Sequence, residues 1–116
     1  MMNSRFTYTQ AEQEEVLIFK LKGSLDIGTV PGVKARIDTI LATGQHKVVF
    51  DLGELDQIDS SGVGAIIAIF KRVKLNKGEM KIAQLAGQPK EIFMLLRLNQ
   101  VFELYDEVDK AVNSFR

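Results

Sequence analysis

Residues 59–62, Asp59-Ser60-Ser61-Gly62, set a carboxylate and two adjacent hydroxyls directly before an apolar run, residues 63–70. Side chains of these types can cap a helix, attack a substrate, hold a phosphate or receive one. Capping is the plainest use, because Asp and Ser side chains accept from the orphan N–H groups of a first helical turn. Nucleophilic attack needs a base to activate the serine. The one histidine, His46, lies in the loop before an apolar strand at 48–52. If that strand runs toward the serines, His46 sits at the opposite end of the sheet. Ser60-Ser61-Gly62-Val63-Gly64 is not a G-x-S-x-G elbow either. Gly62 and Gly64 lack the G-x-x-x-x-G-K-[ST] spacing of a phosphate-binding loop. Asp51, Glu54, Asp56 and Asp59 cluster in sequence, but Asp51 falls within the apolar strand and no histidine joins them, so no metal site is expected.

A serine that is itself the substrate fits the position better. Free N–H groups and the helix dipole favour an anion at a helix start, so a phosphate there costs the fold little. For a binding partner the same phosphate is a large change, about −1.5 to −2 charges on a tetrahedral group. Two unit charges about 4 Å apart interact by roughly 4 kcal/mol at an effective dielectric near 20. Half of that, repulsive, weakens binding by more than about tenfold. A modification neutral to the fold and adverse to binding has the properties of a switch.

The surrounding pattern supplies the elements that must hold this loop. Phe6 and Tyr8 alternate with threonines as a short edge strand does, residues 16–22 read as a second strand, and the polar stretch 10–15 reads as the hairpin loop between them. Gly23-Ser24-Leu25-Asp26 reads as a loop. Val30, Val33, Ile37, Ile40 and Leu41 have helical spacing, with Gly44 as a stop signal. Residues 48–52 form a continuous apolar strand of the kind buried on both faces. Val63, Ile66, Ile67, Phe70 and Val73 make one helical stripe, leaving Ala65, Ala68 and Ile69 off it, and Asn76-Lys77-Gly78 closes the helix. Residues 80–85 read as another strand. Residues 48–85 are therefore a strand–helix–strand crossover with parallel strands. A short helix after Pro89, a strand over 101–104 and an amphipathic helix through Val108, Ala111, Val112 and Phe115 follow. Lys71, Arg72, Lys74 and Lys77 read as a solvated helix face or a basic partner patch. The whole is an α/β fold, one domain over residues 1–116, with a mixed sheet and several helices.

Composition bounds the function. At 116 residues the chain can bury one real core. Fifteen basic and fifteen acidic residues cancel, so no overall field draws it to nucleic acid or anionic membrane. Without cysteine there is no disulfide, thiolate metal site or cysteine nucleophile, which fits a reducing compartment. Residues 1–5 do not read as a signal peptide, and the longest apolar run, eight residues, is far short of the roughly twenty a membrane span needs. A soluble cytoplasmic protein is expected, not an enzyme, with no cofactor, nucleic acid or membrane insertion.

These residues together resemble the STAS domain family, most closely its free-standing bacterial anti-sigma factor antagonists. The resemblance rests on Gly23-Ser24-Leu25-Asp26 as a G-x-L-D turn, the strand 48–52 and Asp59-Ser60-Ser61-Gly62-Val63-Gly64 as D-S-S-G-[LV]-G. It extends over about residues 6–115. It implies a mixed sheet of about four to five strands with helices mainly on one face. It also implies an anti-sigma factor serine kinase as partner, release of a sigma factor, phosphorylation of Ser61 that ends binding, and a PP2C-type phosphatase that restores it. Carried over by position, Asp26, Ile27, Asp59, Ser60, Ser61, Gly62 and Val63 form the partner-binding surface. Ser60 shapes the loop and Asp59 fixes the helix start. Ile27-Gly28-Thr29-Val30-Pro31-Gly32 departs from the family's usual helix start, and its two glycines and proline are expected to delay or reshape that helix. The rival expectations are a STAS module serving a transporter ATPase or a stress-signalling scaffold, and a nucleotide-binding protein with weak hydrolase activity.

Overall fold

The computed structural model describes residues 6–116, so the leader reading of residues 1–5 lies outside the described residues. Five strands form one mixed sheet in the order β1-β2-β3-β4-β5: β1 (Thr7–Gln13), β2 (Val16–Leu25), β3 (Lys47–Ile58), β4 (Glu79–Ala83) and β5 (Leu104–Tyr105). The β1–β2 pair is antiparallel, and β2–β3, β3–β4 and β4–β5 are parallel. Among the described residues there are four α-helices, α1 (Val30–Ala42), α2 (Ser60–Leu75), α3 (Gly87–Leu95) and α4 (Val108–Asn113), and a short 3-10 turn at Leu98–Gln100. The expected crossover from residue 48 to 85 is thus β3-α2-β4, with its two strands parallel.

Strand alternation sorts the side chains onto two faces. Leu17, Phe19 and Leu21 of β2, Val48, Phe50 and Leu52 of β3 and Met80 and Ile82 of β4 meet α1, α2 and α3 in the main core. Phe19 and Phe50 are fully buried with ring centroids 5.4 Å apart, and Phe93 of α3 reaches Phe102 at 5.8 Å. Val16, Val49 and Ala83 point the other way and are covered by Ala111 and Val112 of α4. Lys81 belongs to that second face. Its buried ammonium donates to Ser114 Oγ at 2.7 Å and to the Ser114 carbonyl at 3.3 Å, which holds the end of α4 on the sheet.

Several boundaries differ from the sequence expectation. Residues 10–13 are strand, and the hairpin loop is only Glu14 and Glu15, both at positive φ (52° and 69°). Their polarity reflects an edge strand exposed on both faces, not a loop. Residues 23–25 belong to β2, where pairing with β3 slips between Lys20 and Lys22 and again between Gly23 and Ser24. Gly23 at φ 105° takes the irregular position, which a side chain would strain. β3 runs on to Ile58, since the lengthened β2 pairs with it as far as Leu25↔Ile58. On α2 the buried set is Gly62, Val63, Ala65, Ile66, Ile69 and Val73, while Ile67 and Phe70 are half-buried. The stripe is therefore rotated onto Ala65 and Ile69, because α1 packs against that flank. β4 stops at Ala83, before the positive φ of Gln84 (63°). The last strand is 104–105, as Phe102 turns into the core instead of joining the sheet. α1 begins at Val30, with Pro31 and Gly32 inside its first turn and Gly28 and Thr29 in the turn before it.

Candidate functional site

The serine loop is the junction where β3 hands over to α2. Asp59 is the N-cap in an extended conformation, and its Oδ1 accepts from the Gly62 N–H at 2.9 Å. The Asp59 N–H donates to the Leu25 carbonyl at 3.3 Å, so the cap is tied to the end of β2. Gly62 lies against that same carbonyl. A Cβ at this position would stand 2.4 Å from Leu25 O and 2.6 Å from Ile58 Cγ1, closer than any side chain tolerates. The glycine of the motif is there for close approach of helix to strand.

With Gly62 bound to the cap and Val63 donating to the Asp59 carbonyl at 2.9 Å, the free N–H groups of the first turn are those of Ser60 and Ser61. Neither serine hydroxyl has a hydrogen-bond partner among the described residues. Ser60 is exposed and Ser61 half-buried. The helix carries no acidic residue in its first turn beyond the cap itself. Chemically, this is a place that can accept an anion and present it outward. It is not a place that activates a nucleophile, because His46 precedes β3 and the serines follow it. Twelve residues of strand separate them, about 40 Å at the usual rise.

The neighbouring β2–α1 turn is built by Asp26. Its Oδ1 accepts from Gly28 N–H at 2.9 Å and Thr29 N–H at 3.1 Å, while Thr29 Oγ1 donates to the Ser24 carbonyl at 2.9 Å. Such an Asx turn fixes the chain entering α1. The Leu25↔Ile58 pairing sets Asp26 and Asp59 side by side as the next residues of adjacent strands. Ile27, between Asp26 and Gly28, is 77% exposed.

Beside the serines runs an apolar groove of about 270 Å³, lined by Ile58, Asp59, Ser60, Val63, Ile92 and Leu96. Of the residues assigned by sequence, Asp59, Ser60 and Val63 reach this groove, Gly62 supports it from below, and Asp26 and Ile27 flank the loop from the next strand. Sequence reasoning missed α3 as a wall of the site. Leu95 and Leu96 are 76% and 52% exposed, and the excess of apolar residues in 92–96 beyond one buried stripe was the available signal. It also missed Gln88, whose amide pairs with the peptide of Ile58 at 2.9 and 3.0 Å.

A mixed sheet with helices mainly on one face and a capped serine pair at the β3–α2 junction define an α/β domain with its serine loop at the carboxyl end of a central strand. The STAS domain pattern matches residues 8–111, and the chain belongs to that family. It is 31% identical over 100 residues to an anti-sigma F factor antagonist of Paenibacillus polymyxa, covering 85% of this chain and 83% of that protein. An anti-sigma factor antagonist from Mycobacterium paratuberculosis has the same fold, with TM-score 0.82 and 20% identity, over 94% of this chain and 92% of that one. Phosphorylated SpoIIAA, a Bacillus cell fate determinant, aligns with TM-score 0.75 and 20% identity over 95% of this chain and all of that one. No helix among the described residues is long and apolar enough to cross a membrane.

Proposed function

We propose that this chain is an anti-sigma factor antagonist whose binding is gated by phosphorylation of Ser61. The observation that carries this reading is the opening of α2, where two serine hydroxyls without internal partners stand at unfilled helix N–H groups. A phosphate there meets a favourable dipole within the fold and adds about −1.5 to −2 charges at the surface. The surface beside it suits a protein partner: Ile27 is exposed on one side, and the groove of Ile58, Val63, Ile92 and Leu96 opens on the other. Apolar anchors next to a charge gate give affinity and control in one patch.

In this reading the partner is a kinase-type anti-sigma factor in the cytoplasm. It phosphorylates the antagonist and so releases itself, and a PP2C-type phosphatase restores the binding form. Asp59 and Gly62 hold the loop's shape, and Asp26 fixes the adjoining turn. The test is a pull-down from the source organism with wild-type and Ser61→Asp baits, with captured proteins identified and Ser61 examined for phosphate. Capture of a kinase-type anti-sigma factor by wild type alone supports the gate. Equal capture of transporter or scaffold subunits by both baits replaces it with a docking role.

A further inference from the structure

The formal charges of this chain cancel overall but not along its two outer helices. α1 and α2 carry Lys34, Arg36, Lys71, Arg72 and Lys74 against Asp38 alone. Two of these cations are turned elsewhere. Arg36 donates to Gln10 of β1, and Lys74 lies over the Phe70 ring at 5.7 Å, on the flank where Phe70 packs against Phe102. The other three border a groove between the helices. Lys34, Asp38, Ala68, Ile69 and Arg72 line about 150 Å³ of it, and Arg72 Nε meets Asp38 Oδ1 at 2.8 Å. Lys71 stands at its edge, one turn beyond Ala68. Neither Lys34 nor Lys71 has an ion pair among the described residues. The outward stripe of α2 beside this groove is Gly64, Ala68, Lys71 and Leu75. A Cβ on Gly64 would meet nothing within 4 Å, and Leu75 is 84% exposed at the other end.

From the groove and its one-signed border, we infer that an acidic amphipathic helix of a protein partner docks along α1 and α2. Its carboxylates meet Lys34 and Lys71, and its apolar face lies over Gly64, Ala68 and Leu75. Asp38 is matched by Arg72, so the charge left for a partner is positive. Cations late in a helix also complement its dipole. That accounts for the basic end of α2 but not for Lys34, near the start of α1. The apolar floor and the exposed leucine suit a helix laid in a groove; a flat bilayer would reach the lysines but not the floor at Ala68 and Ile69. The inference goes beyond the phosphorylation gate and does not need it. Lys71 follows Ser61 by ten residues of α2, about 15 Å at the usual rise. Charges are screened over roughly 8 Å at physiological salt. The groove is therefore an anchor open in either state of the serine.

The probe is a capped helical peptide of Glu, Ala and Leu with one apolar stripe, titrated into isotope-labelled protein and followed by amide NMR shifts. Its counterpart with Lys for Glu and vesicles of phosphatidylserine are run beside it. The Glu peptide should shift the amides of Lys34, Ala68, Lys71 and Arg72, bind more weakly as salt rises, and bind Ser61→Asp as it binds wild type. Combining Lys34→Glu with Lys71→Glu should weaken it by about tenfold or more, because each exposed contact turns from attraction to repulsion. No shift of those amides at millimolar peptide, equal binding of the Lys peptide, or an unchanged affinity in the double variant each overturns the inference. So does peptide binding lost in Ser61→Asp, which would move the contact to the gate, or a response to vesicles alone, which would make the face a membrane contact. Should the double variant not fold, the wild-type shift map decides.

Discussion

The side-chain amide of Gln88 satisfies both polar groups of Ile58: the Ile58 N–H donates to Oε1 at 2.9 Å, and Nε2 donates to the Ile58 carbonyl at 3.0 Å. β4 pairs with β3 only as far as Asp51↔Ala83. Beyond that point β3 has β2 on one side and no strand on the other. Gln88 stands in for the missing strand at the last residue before Asp59, and so couples α3, the wall of the groove, to the serine loop.

Replacing Gln88 by Ala leaves the Ile58 peptide without those bonds. Leaving buried polar groups unmade costs about 1–3 kcal/mol, so the urea midpoint should fall accordingly. Hydrogen exchange at Ile58 should accelerate more than at Val48, near the start of the same strand. Equal change at both amides would mean that Gln88 contributes only to global stability and not to the loop.

Gly62 and Gly64 share one helix and should respond oppositely to alanine. At Gly62 the new methyl meets Leu25 O at 2.4 Å, whereas at Gly64 it meets nothing within 4 Å. Overpacking of this kind costs about 1–3 kcal/mol, and Gly64→Ala should gain about 0.5–1 kcal/mol from helix propensity. Chemical denaturation of the two variants checks both signs. A stable Gly62→Ala would show that α2 can shift outward without harm.

The contrast explains which parts were legible in the sequence. The β3-α2-β4 crossover was, because Val48, Phe50 and Leu52 form a buried run and α2 has a full apolar face between clear start and stop residues. That a cap lies at Asp59 or Ser60 was legible from residue type and position, and the resemblance narrowed it to Asp59, which is the N-cap. The second half of β3 was not, since two slips in the β2 pairing break the alternation and leave Leu55 and Ile58 three residues apart. β1 was read short because an edge exposed on both faces shows no apolar period. Ile92 and Leu96 read as ordinary helix residues, and nothing local marks Gln88, whose partner lies thirty residues earlier. Contacts that depend on where a third element comes to rest leave no trace in local pattern.

Acid should weaken the β4–β5 end of the sheet. Glu103 is held below its ordinary value of 4.5, first by the Tyr105 hydroxyl that donates to it at 2.8 Å and then by Lys81 at 3.3 Å. Because the folded state lowers this pKa, the contribution is complete above the unfolded value and is lost as pH falls through the lower folded one. Tyr105→Phe removes the largest cause, so its stability deficit against wild type should be present at pH 6 and shrink below about pH 4. The glutamate is mostly exposed, so the effect is small. A deficit independent of pH would assign Tyr105 to packing alone.

Ser61→Asp separates the fold from the proposed gate. Aspartate adds one negative charge at the second residue of α2, beside unfilled N–H groups and with no acidic residue in that turn to repel it except the cap Asp59. Charges so placed contribute about 0.3–1 kcal/mol in favour of the helix, set against repulsion from Asp59. Thermal unfolding should therefore move by no more than a few degrees in either direction. Binding to the captured anti-sigma factor should fall by about tenfold or more, the weakening expected from roughly 1.4 kcal/mol of repulsion. Ser60→Asp, one residue nearer solvent, supplies the comparison. If Ser60→Asp breaks binding while Ser61→Asp does not, the exposed serine is the gate and the half-buried one serves the helix start.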